Sequence, residues 1–138
     1  MWSVGSYTGG LRRALVAYKY GGDRALAPVF ADQMAAYLRR NEQRLEELGL
    51  LIPMPAYRGP GARRDWDPVG ALFAELAERV GGSWDLAEGV LVKRAETPSM
   101  SQGRQRHRMT GLREELRGAL WVTDPSAVEG SRVVVVDD

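Results

Sequence analysis

The sequence contains no cysteine and only one histidine, His107. The absence of cysteine excludes disulfides, thiolate zinc sites and cysteine nucleophiles, and a single histidine excludes a histidine-paired metal site. Lysine is almost missing too, since Lys19 and Lys93 are the only two, so arginine carries nearly all of the positive charge. Arginine presents a planar set of N–H donors that matches phosphate and carboxylate groups.

Long apolar runs are missing as well. No run approaches 18 apolar residues and no basic-then-apolar leader follows Met1, so we expect no membrane span, no export and a cytoplasmic location. The net charge is only +1, so any attraction to phosphate has to come from local clusters. With 138 residues, 44% of them hydrophobic, the chain is predicted to form one globular domain, residues 1–138, with a hydrophobic core.

The first part of the chain, residues 1–49, has the pattern of a helical lead-in. Apolar residues recur every three to four positions after Gly10 and stop at Gly21 and Gly22, which predicts an amphipathic helix with a glycine end. Asp23 is the expected cap of a longer helix over residues 24–48, with Pro28 tolerated in its first turn.

The remaining part, residues 50–138, has an α/β pattern. Apolar runs predict strands at residues 50–52, 89–93, 119–122 and 132–136, and helices are predicted from Pro68 to about Val80 and up to Arg117. Strands separated by helices or long connections predict a mostly parallel sheet flanked by helices. The four valines from Val133 show no alternation, which is typical of a strand buried on both faces.

Two carboxylates, Asp137 and Asp138, follow the valine strand directly. Ligands of open α/β sheets bind at the carboxyl ends of the strands. Adjacent carboxylates repel each other, and a divalent cation or ligand hydroxyls can offset that repulsion. The alternative interpretation is a surface strand end with two solvated aspartates.

Other polar clusters also have two interpretations. Arg104, Arg106 and Arg108 surround His107 and form either an anion site or a solvated face. Asp65 and Asp67 stand beside Arg63 and Arg64 and predict a local salt-bridge cluster. The tyrosines Tyr18 and Tyr20 and the four tryptophans are predicted to pack in the core and the cap rather than to stack on bases.

Several segments together resemble the ComF family, competence-associated proteins with a type I phosphoribosyltransferase fold. They are Tyr7 to Leu11 with Lys19 to Gly22, Ile52 to Pro55, Arg63 to Asp67, Lys93 to Ser99, and Val133 to Asp138. The resemblance covers the chain from Tyr7 onward. It implies a phosphoribosyltransferase-like protein that binds phosphoribosyl pyrophosphate with Mg²⁺ and is associated with DNA uptake.

The resemblance also implies roles for individual residues. Asp137 and Asp138 match the catalytic acidic pair that engages the ribose hydroxyls, with magnesium nearby. Pro53, Met54 and Pro55 match the loop that receives pyrophosphate, with Arg58 close to it. The arginine-rich stretch matches a mobile hood over the donor, and its cationic groups are Arg94, Arg104, Arg106 and Arg108.

The chain departs from the family in several respects, and two of them bear on the expected ligands. The V-x-T-T-G-x-T loop that holds the donor's 5′-phosphate does not follow Asp138, and the amino-terminal cysteine ribbon is missing, so no zinc is expected. We therefore expect a fold that is incomplete at its carboxyl end, an enzymatically inactive chain, and homodimers formed through an uncovered sheet face.

Two other hypotheses belong to different functional classes. One is a nonenzymatic DNA-uptake protein that binds single-stranded DNA or a helicase, using the arginine-rich stretch. The other is a small structural interaction protein without a ligand. Steep salt dependence of DNA binding would favour the DNA-uptake protein over the phosphoribosyltransferase-like protein and over the interaction protein.

Overall fold

The computed structural model describes residues 3–45, 49–62, 66–80, 84–97 and 108–137. In chain order the elements are α1 (Gly9–Gly21), α2 (Leu26–Arg40), α3 (Glu42–Leu45), β1 (Leu50–Pro53), α4 (Pro68–Val80), β2 (Asp85–Leu86), β3 (Leu91–Lys93), α5 (Arg108–Ala119), β4 (Leu120–Val122) and β5 (Val133–Val136). The protein belongs to the mixed α/β class, with a small parallel sheet flanked by helices, as the sequence predicted.

The first helices follow the sequence pattern only in part. Helix α1 ends as predicted, because Gly22 takes a left-handed conformation with φ 70° that suits glycine. The long helix expected over residues 24–48 is instead broken at Asn41, whose side-chain amide donates to the Tyr37 carbonyl oxygen at 2.8 Å. An asparagine side chain that bonds the preceding turn competes with helix continuation. Asp23 is not the cap, because Ala25 occupies the N-cap position of α2.

The parallel sheet contains different strands from those predicted. Strand β1 lies between β2 and β5, and both pairings are parallel. The strands predicted at residues 89–93 and 119–122 are not part of this sheet, because β3 and β4 pair antiparallel with each other. The sequence missed β2, since a strand of two residues is too short to show a period.

The core lies between helices α2 and α4 and one face of the parallel sheet. Tyr18, Phe73, Leu76 and Leu51 are fully buried there. The Tyr18 ring meets the rings of Phe30 and Trp66 edge to face, with centroid distances of 5.3 and 5.0 Å, and its hydroxyl donates to the Pro68 carbonyl oxygen at 2.5 Å. This tyrosine therefore ties α1 to both α2 and the start of α4.

Strand β5 is buried on one face only, which corrects the prediction of burial on both faces. Val136 is 7% exposed and Val134 packs against the core, whereas Val135 is 46% exposed. Alternation along a strand points Val135 to the face opposite Val134 and Val136. Ile52 of β1 pairs with Val135 and lies on the same face of the sheet. Among the described residues, this face is buried at Ile52, which is 4% exposed, but remains exposed at Val135.

Asp67 begins helix α4 as its N-cap residue. Its Oδ1 accepts a hydrogen bond from the Gly70 backbone N–H at 2.9 Å, and Pro68 occupies the first helical position. Replacing Asp67 by alanine is expected to lower the free energy of unfolding by about 1 kcal/mol. Chemical denaturation measures this loss, and Asp67→Asn, which keeps the accepting oxygen, is expected to retain most of the stability. Equal losses in the two variants would contradict the capping role.

Asp124 accepts hydrogen bonds from Ser126 at the start of a 3₁₀ turn over Pro125–Ala127. The Ser126 hydroxyl donates at 2.5 Å and its backbone N–H at 3.0 Å, and these bonds lower the pKa of the Asp124 carboxyl below its ordinary value. A lowered folded-state pKa gives stability that is present above the ordinary value and is lost as the pH falls through the folded-state pKa.

Ser126→Ala removes the largest cause of this shift, so the Asp124 pKa is expected to rise towards its ordinary value. A carbon-detected NMR titration of the Asp124 carboxyl measures the change. Ser131→Ala, in the next turn, is the matched control and is expected to leave the pKa where it was. An unchanged pKa in Ser126→Ala would show that the hydroxyl is not the cause.

Candidate functional site

The carboxyl ends of β1 and β5 lie side by side. Pro53 pairs in register with Val136, and the Met54 backbone N–H donates to the Val136 carbonyl oxygen at 2.8 Å. Asp137 is the next residue and is exposed. The turn Pro53–Pro55 and the first acidic residue after β5 are therefore neighbours at one edge of the sheet, as expected for parallel strands.

A pocket of about 460 Å³ opens next to this edge. One wall is the loop after β1, Pro55 to Pro60, and the other is the end of β3, Val92 to Arg94. Three residues of the predicted site, Pro55, Arg58 and Arg94, line it together. The structure thus brings together residues that lie about 40 positions apart in the sequence.

The pocket is positively charged. Its described lining includes Arg58, Lys93 and Arg94, and no aspartate or glutamate is among those described residues. Beside the pocket, Asp67 Oδ2 lies 4.0 Å from the guanidinium of Arg58, whose side chain is 56% exposed. Such a lining favours an anionic ligand.

The loop that forms the first wall folds tightly on itself. The Tyr57 hydroxyl donates to the Pro60 carbonyl oxygen at 3.3 Å, which draws the ring across Gly59. A Cβ atom at Gly59 would lie 2.5 Å from Tyr57 Cζ, so a larger residue there would displace the ring. Gly59 therefore permits the compact turn that holds Arg58 at the pocket.

Trp121 is a residue of this region that the sequence interpretation missed. The tryptophans were expected to pack in the core and the cap. Trp66 and Trp84 do pack against the core, but Trp121 is 51% exposed. The Arg94 guanidinium carbon lies 4.0 Å from the centroid of its ring. The signal was not available in the sequence, because the contact depends on how β3 and β4 pair. Tyr20 also differs from the expectation, since it is 63% exposed.

The other predicted site residues lie outside the pocket or outside the described ranges. Pro53 and Met54 lie at the strand ends beside Asp137. Arg104, Arg106 and Asp138 lie outside the described residues, and Arg108 is the first residue of α5. Asp67 contacts Arg58 and caps α4, while its predicted partners Arg63 and Arg64 are outside the described ranges.

The described residues contain neither a metal-binding cluster nor a membrane-spanning helix. No three His, Asp or Glu residues of the described ranges come together as a metal-binding group. No helix within those ranges is long and apolar enough to cross a membrane. No family model, curated protein or solved structure matches this chain.

Proposed function

We propose that this protein is phosphoribosyltransferase-like, binds phosphoribosyl pyrophosphate with Mg²⁺, and acts in DNA uptake as the ComF resemblance implies. The observation that carries the proposal is the convergence of three predicted parts at one place. The Pro53–Pro55 turn adjoins Asp137 through the Met54 hydrogen bond, and the same turn leads into the pocket that holds Arg58 and Arg94.

The topology supports the type I phosphoribosyltransferase fold within this proposal. The parallel strands β1 and β5 end next to each other. The antiparallel strands β3 and β4 stand apart from that sheet, and the arginine-rich connection runs between them. The chain that follows Arg94, which lines the pocket, would supply the hood that the resemblance implies.

Pyrophosphate is the part of the donor that the pocket suits best. Arg58 comes from the loop after β1 and Arg94 from the end of β3, so the two guanidinium groups belong to opposite walls. Guanidinium groups bind phosphate oxygens through charge-assisted hydrogen bonds. Breaking the bond at the anomeric carbon leaves negative charge on the departing pyrophosphate, and these two arginines would stabilise it.

The strand end beside the pocket would hold the sugar and the metal. Carboxylates suit ribose hydroxyls and Mg²⁺, and magnesium in such sites is typically bound by one or two carboxylates plus substrate phosphates. Asp137 and Asp138 would supply those carboxylates. When bound, the metal would neutralise pyrophosphate charge.

Calorimetric titration with inorganic pyrophosphate in the presence of Mg²⁺ tests the proposal. We expect the unchanged protein to bind, and Arg58→Ala and Arg94→Ala each to weaken binding. Loss of a hydrogen bond to a charged group costs about 1.5–3 kcal/mol, which corresponds to roughly 10- to 150-fold in the dissociation constant.

Arg12→Ala is the matched control, because Arg12 is an exposed arginine of α1 outside the pocket. Its affinity for pyrophosphate is expected to equal that of the unchanged protein. Failure of the folded, unchanged protein to bind either pyrophosphate or phosphoribosyl pyrophosphate would overturn the proposal. An equal loss of affinity in Arg12→Ala would show that the effect of the Arg58 and Arg94 variants comes from net charge and not from a binding site.

Binding of single-stranded DNA is the second candidate function, and the exposed Trp121 next to Arg94 favours it. Exposed aromatic rings combined with arginines can stack bases and hold the phosphate backbone. Replacing Arg104, Arg106 and Arg108 together by alanine is then expected to reduce the salt dependence of DNA binding by a log–log slope of about 2. Fluorescence anisotropy with an oligothymidylate at several salt concentrations measures it, and an unchanged slope would count against DNA binding by this stretch.

A further inference from the structure

Among the described residues, the side chain of Arg94 contacts an aromatic ring and forms no ion pair with a carboxylate. Its guanidinium carbon lies 4.0 Å from the centroid of the Trp121 ring, a distance at which the cation is attracted by the face of the indole. Arg24 makes a longer contact of the same kind, 5.4 Å from the centroid of the Trp66 ring, whereas two other arginines contact carboxylates. Arg58 lies near the Asp67 carboxylate, and Arg79 donates to the carboxylates of Asp32 and Glu75.

The register of β3 and β4 explains how this contact arises. Val92 pairs directly with Trp121, and Arg94 is two residues beyond Val92 on the same strand face. The Arg94 backbone N–H donates to the Ala119 carbonyl oxygen at 2.8 Å, which extends the ladder by one step. The backbone of Arg94 is thus fixed by the strand pair, and its side chain lies diagonally across the ring.

The end of β3 forms one wall of the pocket, where Val92, Lys93 and Arg94 all line it. We propose that Trp121 is a positioning residue, which holds the Arg94 guanidinium at the pocket in an orientation that receives an anionic ligand. The inference rests on the proposed function, because it takes pyrophosphate as that ligand. It adds a residue that does not itself touch the ligand.

The physical advantage lies in what an indole leaves available. The indole face attracts the cation but offers no oxygen acceptor, so the contact with Trp121 leaves the N–H donors of Arg94 available to a ligand. A free arginine side chain would lose rotamer freedom when it binds, and a side chain already held in place loses less. Trp121 would therefore raise the affinity for the anion by reducing the rotamer entropy that Arg94 loses on binding.

Calorimetric titration of the full chain with inorganic pyrophosphate and Mg²⁺ tests this role in a double-mutant cycle. Trp121→Ala is expected to weaken binding about three- to tenfold, in line with the coupling usual for residues in contact. Trp121→Phe retains an aromatic face and is expected to restore part of the affinity. In the Arg94→Ala background, Trp121→Ala is expected to cause no further loss, because the group that it positions is gone.

NMR of the arginine side chains gives a readout that does not depend on binding. The Arg94 Nε–H resonance is expected to carry a ring-current shift that disappears in Trp121→Ala and remains in part in Trp121→Phe. Circular dichroism and the melting temperature show whether each variant is folded, and Trp121→Phe keeps the test valid if the alanine variant unfolds.

The outcomes separate this inference from the function on which it rests. Unchanged pyrophosphate affinity in folded Trp121→Ala, or a loss that persists in the Arg94→Ala background, would overturn the positioning role and leave the pyrophosphate site standing. No binding by the unchanged protein would overturn the proposed function and the positioning role together.

Discussion

Replacing Tyr18 by alanine is expected to lower the free energy of unfolding by about 3–5 kcal/mol, the usual range for removing a large aromatic side chain from a core. Tyr18 is fully buried and lies edge to face against both Phe30 and Trp66. It also carries the hydrogen bond from α1 to the first residue of α4. Its loss leaves a cavity where α1, α2 and α4 meet. Urea denaturation followed by circular dichroism measures the change.

Tyr18→Phe separates the ring from the hydroxyl. This variant keeps the ring that contacts Phe30 and Trp66 and removes the hydroxyl that donates to the Pro68 carbonyl oxygen, so the expected cost is about 0.5–1.5 kcal/mol. A matched exposed site is Tyr20, two residues away and 63% exposed, where alanine is expected to change stability by about 0.5 kcal/mol or less. Similar losses in Tyr18→Ala and Tyr20→Ala would show that α1 is not anchored through Tyr18.

Elements with strong local signals were predicted well from the sequence. The glycine pair after Tyr20 ends α1, and Pro68 begins α4, because both residue types act through the backbone of their own turn. The apolar runs at β1 and β5 likewise mark strands. In each case the information lies within a few residues of the element that it specifies.

Features set by tertiary contacts were not predicted. The pairing of β3 with β4 and the burial of only one face of β5 depend on which other elements are adjacent. Apolar periodicity says that a strand has a buried face, but four consecutive valines do not say which neighbours cover it. The break at Asn41 coincides with a side-chain bond to the preceding turn, which the apolar pattern does not contain.

The candidate site divides in the same way. The proximity of the Pro53–Pro55 turn to Asp137 could be predicted, because parallel strands bring their carboxyl ends to one edge. The stacking of Arg94 on Trp121 could not, since the two residues are 27 positions apart and meet only through the register of β3 and β4. The strand ends and loops of such a site can be predicted from the sequence, but its cross-strand contacts cannot.

Two adjacent valines of β5 give the second large expected effect. Val136→Asp places a charge where the native side chain is 7% exposed and belongs to the core cluster. An unpaired buried charge costs about 3–5 kcal/mol, so this variant is expected to be largely unfolded at room temperature. Val135→Asp carries the same substitution on the face where the native side chain is 46% exposed. There the cost is expected to be about 1 kcal/mol, mainly from the low strand propensity of aspartate.

Because both variants introduce the same residue into the same strand, strand propensity and added charge cancel in the comparison. What remains is the difference in burial between the two faces of β5. Thermal unfolding of the two proteins side by side, with Val135→Thr as a variant of high strand propensity, measures that difference. Val135→Asp could instead destabilise the protein as much as Val136→Asp while Val135→Thr leaves the stability unchanged. The face of β5 that carries Val135 would then have to be covered, as it would be in a homodimer that packs through this face. Light scattering on Val135→Thr and the unchanged protein would then distinguish such a dimer from a monomer.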